Sequence, residues 1–101
     1  MGVAYIRLLA YASSLRVLEK ELTTVIGSAP VQSSGSISVW NLRGPDSQVV
    51  RLILDIPASD EEIQFVEEHG AAIYEVGINT RNREGAVKTP YGKLTFVSSG
   101  P

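Results

Sequence analysis

The sequence predicts an α+β domain: an open antiparallel sheet, two helices on one of its faces, and one further strand near the C-terminal end. Three observations predict it. The hydrophobic period changes along the chain in the order strand, helix, strand, strand, helix, strand. Each helical stretch is closed by a glycine, Gly27 and Gly70. The first and third strands alternate or run apolar in the way a sheet with a buried face requires.

Residues Val3–Tyr11 place Ala4, Ile6, Leu8 and Ala10 on one side and Tyr5, Arg7, Leu9 and Tyr11 on the other. Ser13 and Ser14 supply an N-cap for a helix over Ser14–Gly27. Its Leu15, Leu18, Leu22, Val25 and Ile26 recur at three- and four-residue steps as a buried stripe. Gly27 suits a left-handed C-cap, and Pro30 prevents the helix from resuming. Gln32–Ser36 reads as a polar connection and Ser36–Arg43 as a strand, with Ile37 and Val39 inward and Trp40 and Leu42 outward. Turn residues Arg43–Ser47 make a hairpin into Gln48–Ile56, where Val50, Leu52, Leu54 and Ile56 form a continuous apolar face.

Ser59–Glu62 is a capping box, in which Ser59 accepts from the Glu62 amide and Glu62 reaches back to the Ser59 amide. The helix over Ser59–Gly70 buries Ile63 and Val66, with Phe65 flanking them. Ala71–Thr80 is the next strand, Arg81–Gly92 a loop, and Lys93–Ser98 the extra strand, with Leu94 and Phe96 inward. Right-handed crossovers applied to this order bring the first and third strands together. That is the ferredoxin-like βαββαβ sandwich. Residues 1–80 are expected to form its core, and residues 81–101 a basic loop and strand extension of the same domain.

A chain of 101 residues has interior for one core only. With no cysteine it has no disulfide framework, thiol catalysis or thiolate metal site. The N-terminal stretch lacks a basic n-region and Arg7 interrupts it, so no signal peptide is expected. Ile6 stands where a myristoylation signal needs Ser or Thr. The expected location is the cytoplasm. Charge is uneven: residues 77–101 carry Arg81, Arg83, Lys88 and Lys93 against Glu84 alone, behind an acidic body.

No catalytic residue, cofactor or metal is assigned. His69 is the one histidine and sits in a last helical turn, where a positive charge suits the helix dipole. Asp60, Glu61 and Glu62 are explained by their helix-start position and lack the loop spacing of a calcium site. No glycine-rich loop opens a helix, and no serine sits in a nucleophile turn. Acylphosphatases share the strand order, but Ala12–Ser14 lacks the arginine of their first loop. RNA-recognition domains share it too, and Tyr5 would serve as a stacking platform, yet Gln48–Ile56 has no aromatic residue to join it. An enzyme is the less favoured class; a small enzyme assembled from Tyr, Arg and Asp of different subunits is the weakest alternative.

What is left is the sheet face away from the helices. Tyr5, Leu9, Tyr11, Trp40, Leu42, Val49, Arg51 and Ile53 are expected there as an exposed apolar interface. The stretch Arg51–Ile56, Ser59–Ile63 and Glu68–Val76 resembles the second half of ACT-like regulatory domains of the NIL type. The resemblance implies small effectors bound at oligomer interfaces. The functional expectation is thus a non-catalytic, self-associating regulatory domain, a dimer or higher homo-oligomer, holding a small effector at its subunit contact. The alternative is a nucleic-acid or ribonucleoprotein accessory domain, with Arg81, Arg83, Lys88 and Lys93 as candidate anion contacts and steep salt dependence. No membrane partner is expected.

Overall fold

The computed structural model describes residues 2–43, 48–80, 84–89 and 92–98. The strands are β1 (Gly2–Leu9), β2 (Gln32–Ser33), β3 (Ile37–Arg43), β4 (Val49–Asp55), β5 (Ala72–Thr80), β6 (Gly85–Thr89) and β7 (Gly92–Ser98). Helix α1 (Leu15–Ile26) follows β1 through a 3₁₀ turn at Ala12–Ser14, and α2 (Asp60–His69) joins β4 to β5. All seven strands lie in one sheet, in the order β2-β3-β4-β1-β5-β7-β6.

This corrects the ferredoxin-like expectation. The sheet is mixed, with β4 parallel to β1 and β7 parallel to β5, and it holds two strands the sequence reading left as connections. β2 lies in the polar segment, where Gln32 pairs with Val39 and Ser33 with Ser38. β6 lies within the Arg81–Gly92 loop and pairs with β7 from Gly85–Phe96 to Thr89–Gly92. The strand order has an approximate two-fold about the antiparallel β1–β5 seam. On either side the next strand is parallel, β4 or β7, and the one beyond is antiparallel, β3 or β6. The crossover from β1 to β4 carries α1, whereas that from β5 to β7 carries no helix among the described residues.

Register fixes the faces, because directly paired residues project to the same side. Ile6–Leu52, Leu8–Leu54, Trp40–Leu52 and Ser38–Leu54 share one face. Leu15, Leu18, Leu22 and Ile26 of α1 pack there with Trp40, Leu52 and Leu54. Tyr5–Arg51, Arg7–Ile53 and Leu9–Asp55 share the opposite face. The second helix does not join the first. Phe65 and Val66 of α2 pack on Leu9, Ala72 and Tyr74, and its first turn reaches the face opposite α1, where Glu62 meets Arg7. Two helices on one face is therefore also corrected. A register shift between Arg7 and Leu8, opposite Tyr74, lets that corner turn.

Local chemistry explains most element ends. Gly27 takes the left-handed C-cap at φ 86°, and its N–H donates to the Thr23 carbonyl. Ser59 accepts from the Glu62 N–H at 3.2 Å, but Glu62 accepts from the Ala58 amide rather than that of Ser59. Ser14 makes no side-chain cap bond, so the expected cap of α1 is absent. Val25 is exposed, and in α2 it is Phe65, not Ile63, that is buried with Val66. Buried Ser38 donates to Glu19 of α1 at 2.9 Å, which satisfies its hydroxyl and ties helix to sheet.

Candidate ligand site on the face opposite α1

Five charged or phenolic side chains converge where β4, β1, β5 and the start of α2 meet. Alternation along β1 sends Tyr5 and Arg7 to the face opposite α1, and the register brings Asp55 from β4 and Glu75 from β5 to the same side. The capping turn at Ser59 swings Glu62 over them.

Arg7 is the centre. Its Nε and Nη2 donate to Asp55 Oδ2 at 3.3 and 3.0 Å. Its Nη1 and Nη2 donate to the two oxygens of Glu62 at 3.0 and 3.2 Å. Glu75 Oε1 lies 4.0 Å from Nη1, and the guanidinium carbon stands 5.9 Å from the Tyr74 ring centre. The fork of the guanidinium matches carboxylates in a way lysine could not. Burial works against the charge of Arg7, but its bonds with Glu62 and Asp55 outweigh this and drive its pKa above the ordinary value.

Beside it Glu75 accepts from the Tyr5 hydroxyl in a short hydrogen bond and from Thr95 Oγ1 at 2.7 Å. The Tyr5 ring lies across β5 because residue 77 is glycine; a Cβ there would overlap the ring. Burial pushes the Glu75 carboxyl up, yet the Tyr5 and Thr95 hydrogen bonds with the charges of Lys93 and Arg7 bring it below the usual range. The Arg7 hydrogen bonds hold Glu62 low against its own desolvation. Desolvation raises Tyr5, as does its bond to Glu75. Desolvation also raises Tyr74, with Glu61 and Glu62 adding to it. These four groups therefore keep one charge state across neutral pH.

A cleft of about 180 Å³ adjoins this cluster, between α2 and the β6–β7 hairpin. Phe65, His69 and Tyr74 form its aromatic wall, with Phe65 4.7 Å from His69 and 5.0 Å edge-on from Tyr74 between ring centres. Lys88 and Lys93, cross-strand partners, line the other side. Lys88 is taken by Glu61 at 2.7 Å, whose bond raises its pKa. Gly92 admits β7 at a φ of 145°, where a Cβ would come within 2.5 Å of the Tyr74 carbonyl oxygen. A second cavity, about 200 Å³ between α1 and the start of β5, is lined by Leu8, Leu18, Leu22 and Ala72. Its one polar lining residue is Glu21, so little there could orient a ligand.

The residues expected on one exposed sheet face do not share it. Leu9 is 0% and Trp40 1% exposed, sealed within the chain, and Leu42 packs into the core beneath α1. Trp40 and Leu42 turn inward because their register partners are Leu52 and Val50. Tyr5 is held by Glu75 and Ile53 is half-buried. Tyr11 (45% exposed), Val49 (51%) and Arg51 remain at the surface. Of the expected anion contacts, Arg81 and Arg83 lie outside the described residues, Lys88 is ion-paired, and Lys93 stands beside Glu75. Asp55, Glu62 and Glu75 were not singled out as site residues. One signal was available: Arg7 in the middle of the otherwise apolar first strand.

Neither a family model nor a curated protein matches the sequence. Solved structures do match the fold. Methylmalonyl-CoA epimerase from Mycobacterium tuberculosis aligns with a TM-score of 0.60 at 12% identity, over 99% of this chain and 89% of that one. A Streptomyces coelicolor methylmalonyl-CoA epimerase variant, in complex with 2-nitronate-propionyl-CoA, aligns at 0.64 and 9% identity over 98% of each chain. A 4-hydroxymandelate synthase mutant from Streptomyces coelicolor aligns at 0.52 and 12% identity, over 87% of this chain and 33% of that one. These findings overturn the reading as a non-catalytic ferredoxin-like regulatory domain and its nucleic-acid alternative. No helix among the described residues is long and apolar enough to cross a membrane. The fold resembles the vicinal oxygen chelate type, and at these identities the likeness is one of fold alone.

Proposed function

We propose that this chain handles a small organic acid or acyl ester in the cleft between α2 and the β6–β7 hairpin, with Lys93 as the anion contact. The observation that carries the reading is Lys93 itself. It lines an aromatic-walled cleft and has no ion-pair partner within 4.0 Å among the described residues, while its neighbour Lys88 is neutralised by Glu61. Phe65 and Tyr74 give an apolar body something flat to lie against. At about 180 Å³ the cleft is smaller than a pocket for a drug-sized ligand, which favours a small one. The fold likeness to methylmalonyl-CoA epimerase supports acyl compounds as the first class to try. Glu75 and Glu62 are held as weak bases, which favours binding and orientation over proton abstraction by either.

Isothermal titration with methylmalonyl-CoA, methylmalonate and benzoate tests it. At least one should bind with an affinity that falls as salt rises. Lys93→Ala should weaken that binding about tenfold, the loss of one charge-assisted contact. No binding by any of the three at millimolar concentration overturns the reading, as does a Lys93→Ala variant that binds as tightly as the native protein.

A further inference from the structure

The name of this fold type refers to a chelate, so the oxygen donors of the site can be asked whether they suit a metal ion. They are the right atoms. Asp55, Glu62 and Glu75 come from three separate elements and bring hard carboxylate oxygens to one point. Yet among the described residues no group of three His, Cys, Asp or Glu is arranged to hold an ion. The point of convergence is taken by the Arg7 guanidinium.

We infer that Arg7 is the resident cation of this site, occupying the carboxylates a divalent ion would need, so that the protein holds them together there without a metal. The oxygen inventory supports this. Asp55 Oδ2 accepts twice from Arg7 and Oδ1 accepts from the Ile56 N–H. Both Glu62 oxygens are bonded to Arg7, and Oε1 also accepts from the Ala58 N–H. Glu75 Oε2 holds Tyr5 and Thr95, which leaves Oε1, already drawn toward Arg7. An entering ion would have to displace a guanidinium that keeps its proton at any accessible pH. It would also face Lys93, whose charge acts on both Glu62 and Glu75. A histidine in the place of Arg7 could be vacated by deprotonation; an arginine cannot.

The test is independent of any ligand in the neighbouring cleft. The full chain is stripped with EDTA, then titrated with Mg²⁺, Ca²⁺, Mn²⁺ and Zn²⁺, following melting temperature and metal content. The native protein should carry no stoichiometric metal and melt at the same temperature throughout. Arg7→Ala opens the three carboxylates, and millimolar Mn²⁺ or Ca²⁺ should raise its melting temperature by about 5 °C. Arg7→Ala combined with Asp55→Asn should lose that rise. Metal retained by the native chain, with a fall in melting temperature on EDTA, overturns the inference, as does a folded Arg7→Ala that responds to none of the ions. If Arg7→Ala does not fold at all, the native metal content decides alone: bound metal refutes the inference and its absence supports it.

Discussion

Gly77 and Tyr5 show how one missing side chain shapes the site. The phenol crosses β5 where residue 77 has no Cβ, and only from there does its hydroxyl reach Glu75. Gly77→Ala would force the ring off the strand. The expected cost is about 1–3 kcal/mol, the usual penalty of overpacking, read by urea denaturation. In a Tyr5→Ala background the same substitution should cost much less, because the clash is then gone. Neither residue's role is legible in the sequence, since they pair across the seam from opposite ends of the chain. Arg7 is the same case on a larger scale. Its position in an apolar strand marks it as unusual, but its partners Asp55 and Glu62 lie 48 and 55 positions away. No local pattern names them.

Elements built from local chemistry were legible nearly to their ends. Ser59 and Gly70 bracket α2, and Leu15 to Ile26 carry α1, because caps and stripes are decided by neighbours a few positions apart. Ser59→Ala should therefore cost about 1 kcal/mol, the value of a helix cap, measurable as a lower denaturation midpoint with unchanged slope. Ser14→Ala should cost less, since Ser14 makes no cap bond to lose. β2 and β6 were not legible. Gln32–Ser33 and Gly85–Thr89 have no strong alternation of their own and become strands by pairing with β3 and β7. The inward turn of Trp40 is not legible in the sequence because two faces of β3 each carry apolar residues, and only pairing with β4 settles which lies under α1.

Across the whole molecule, the carboxylates at the junction of the sheet and α2 make stability depend on acid. Glu62 and Glu75 each have a folded pKa below the free value of 4.5. Their contribution is complete above that value and is lost as pH falls through the folded values. Stability measured between pH 7 and pH 2 should fall most steeply there, and Glu62→Gln or Glu75→Gln should each flatten the slope; unchanged slopes in both would contradict the assignment. The global arrangement was the least legible level. The adjacency of β1 and β4 was expected within an antiparallel sheet, but their parallel pairing, like that of β7 with β5, is written in no local period.

The β1–β5 seam carries a consequence for how the chain comes into being. Tyr5 meets Glu75 at a separation of 70 positions, and β1 has no partner on that side until β5 exists. During synthesis this strand must wait, one ladder of amides and carbonyls unpaired, until the chain has been made as far as Ala72 and beyond. Closure of so long a loop is slow, and fragments ending before residue 72 would present that bare ladder to one another as a template for aggregation.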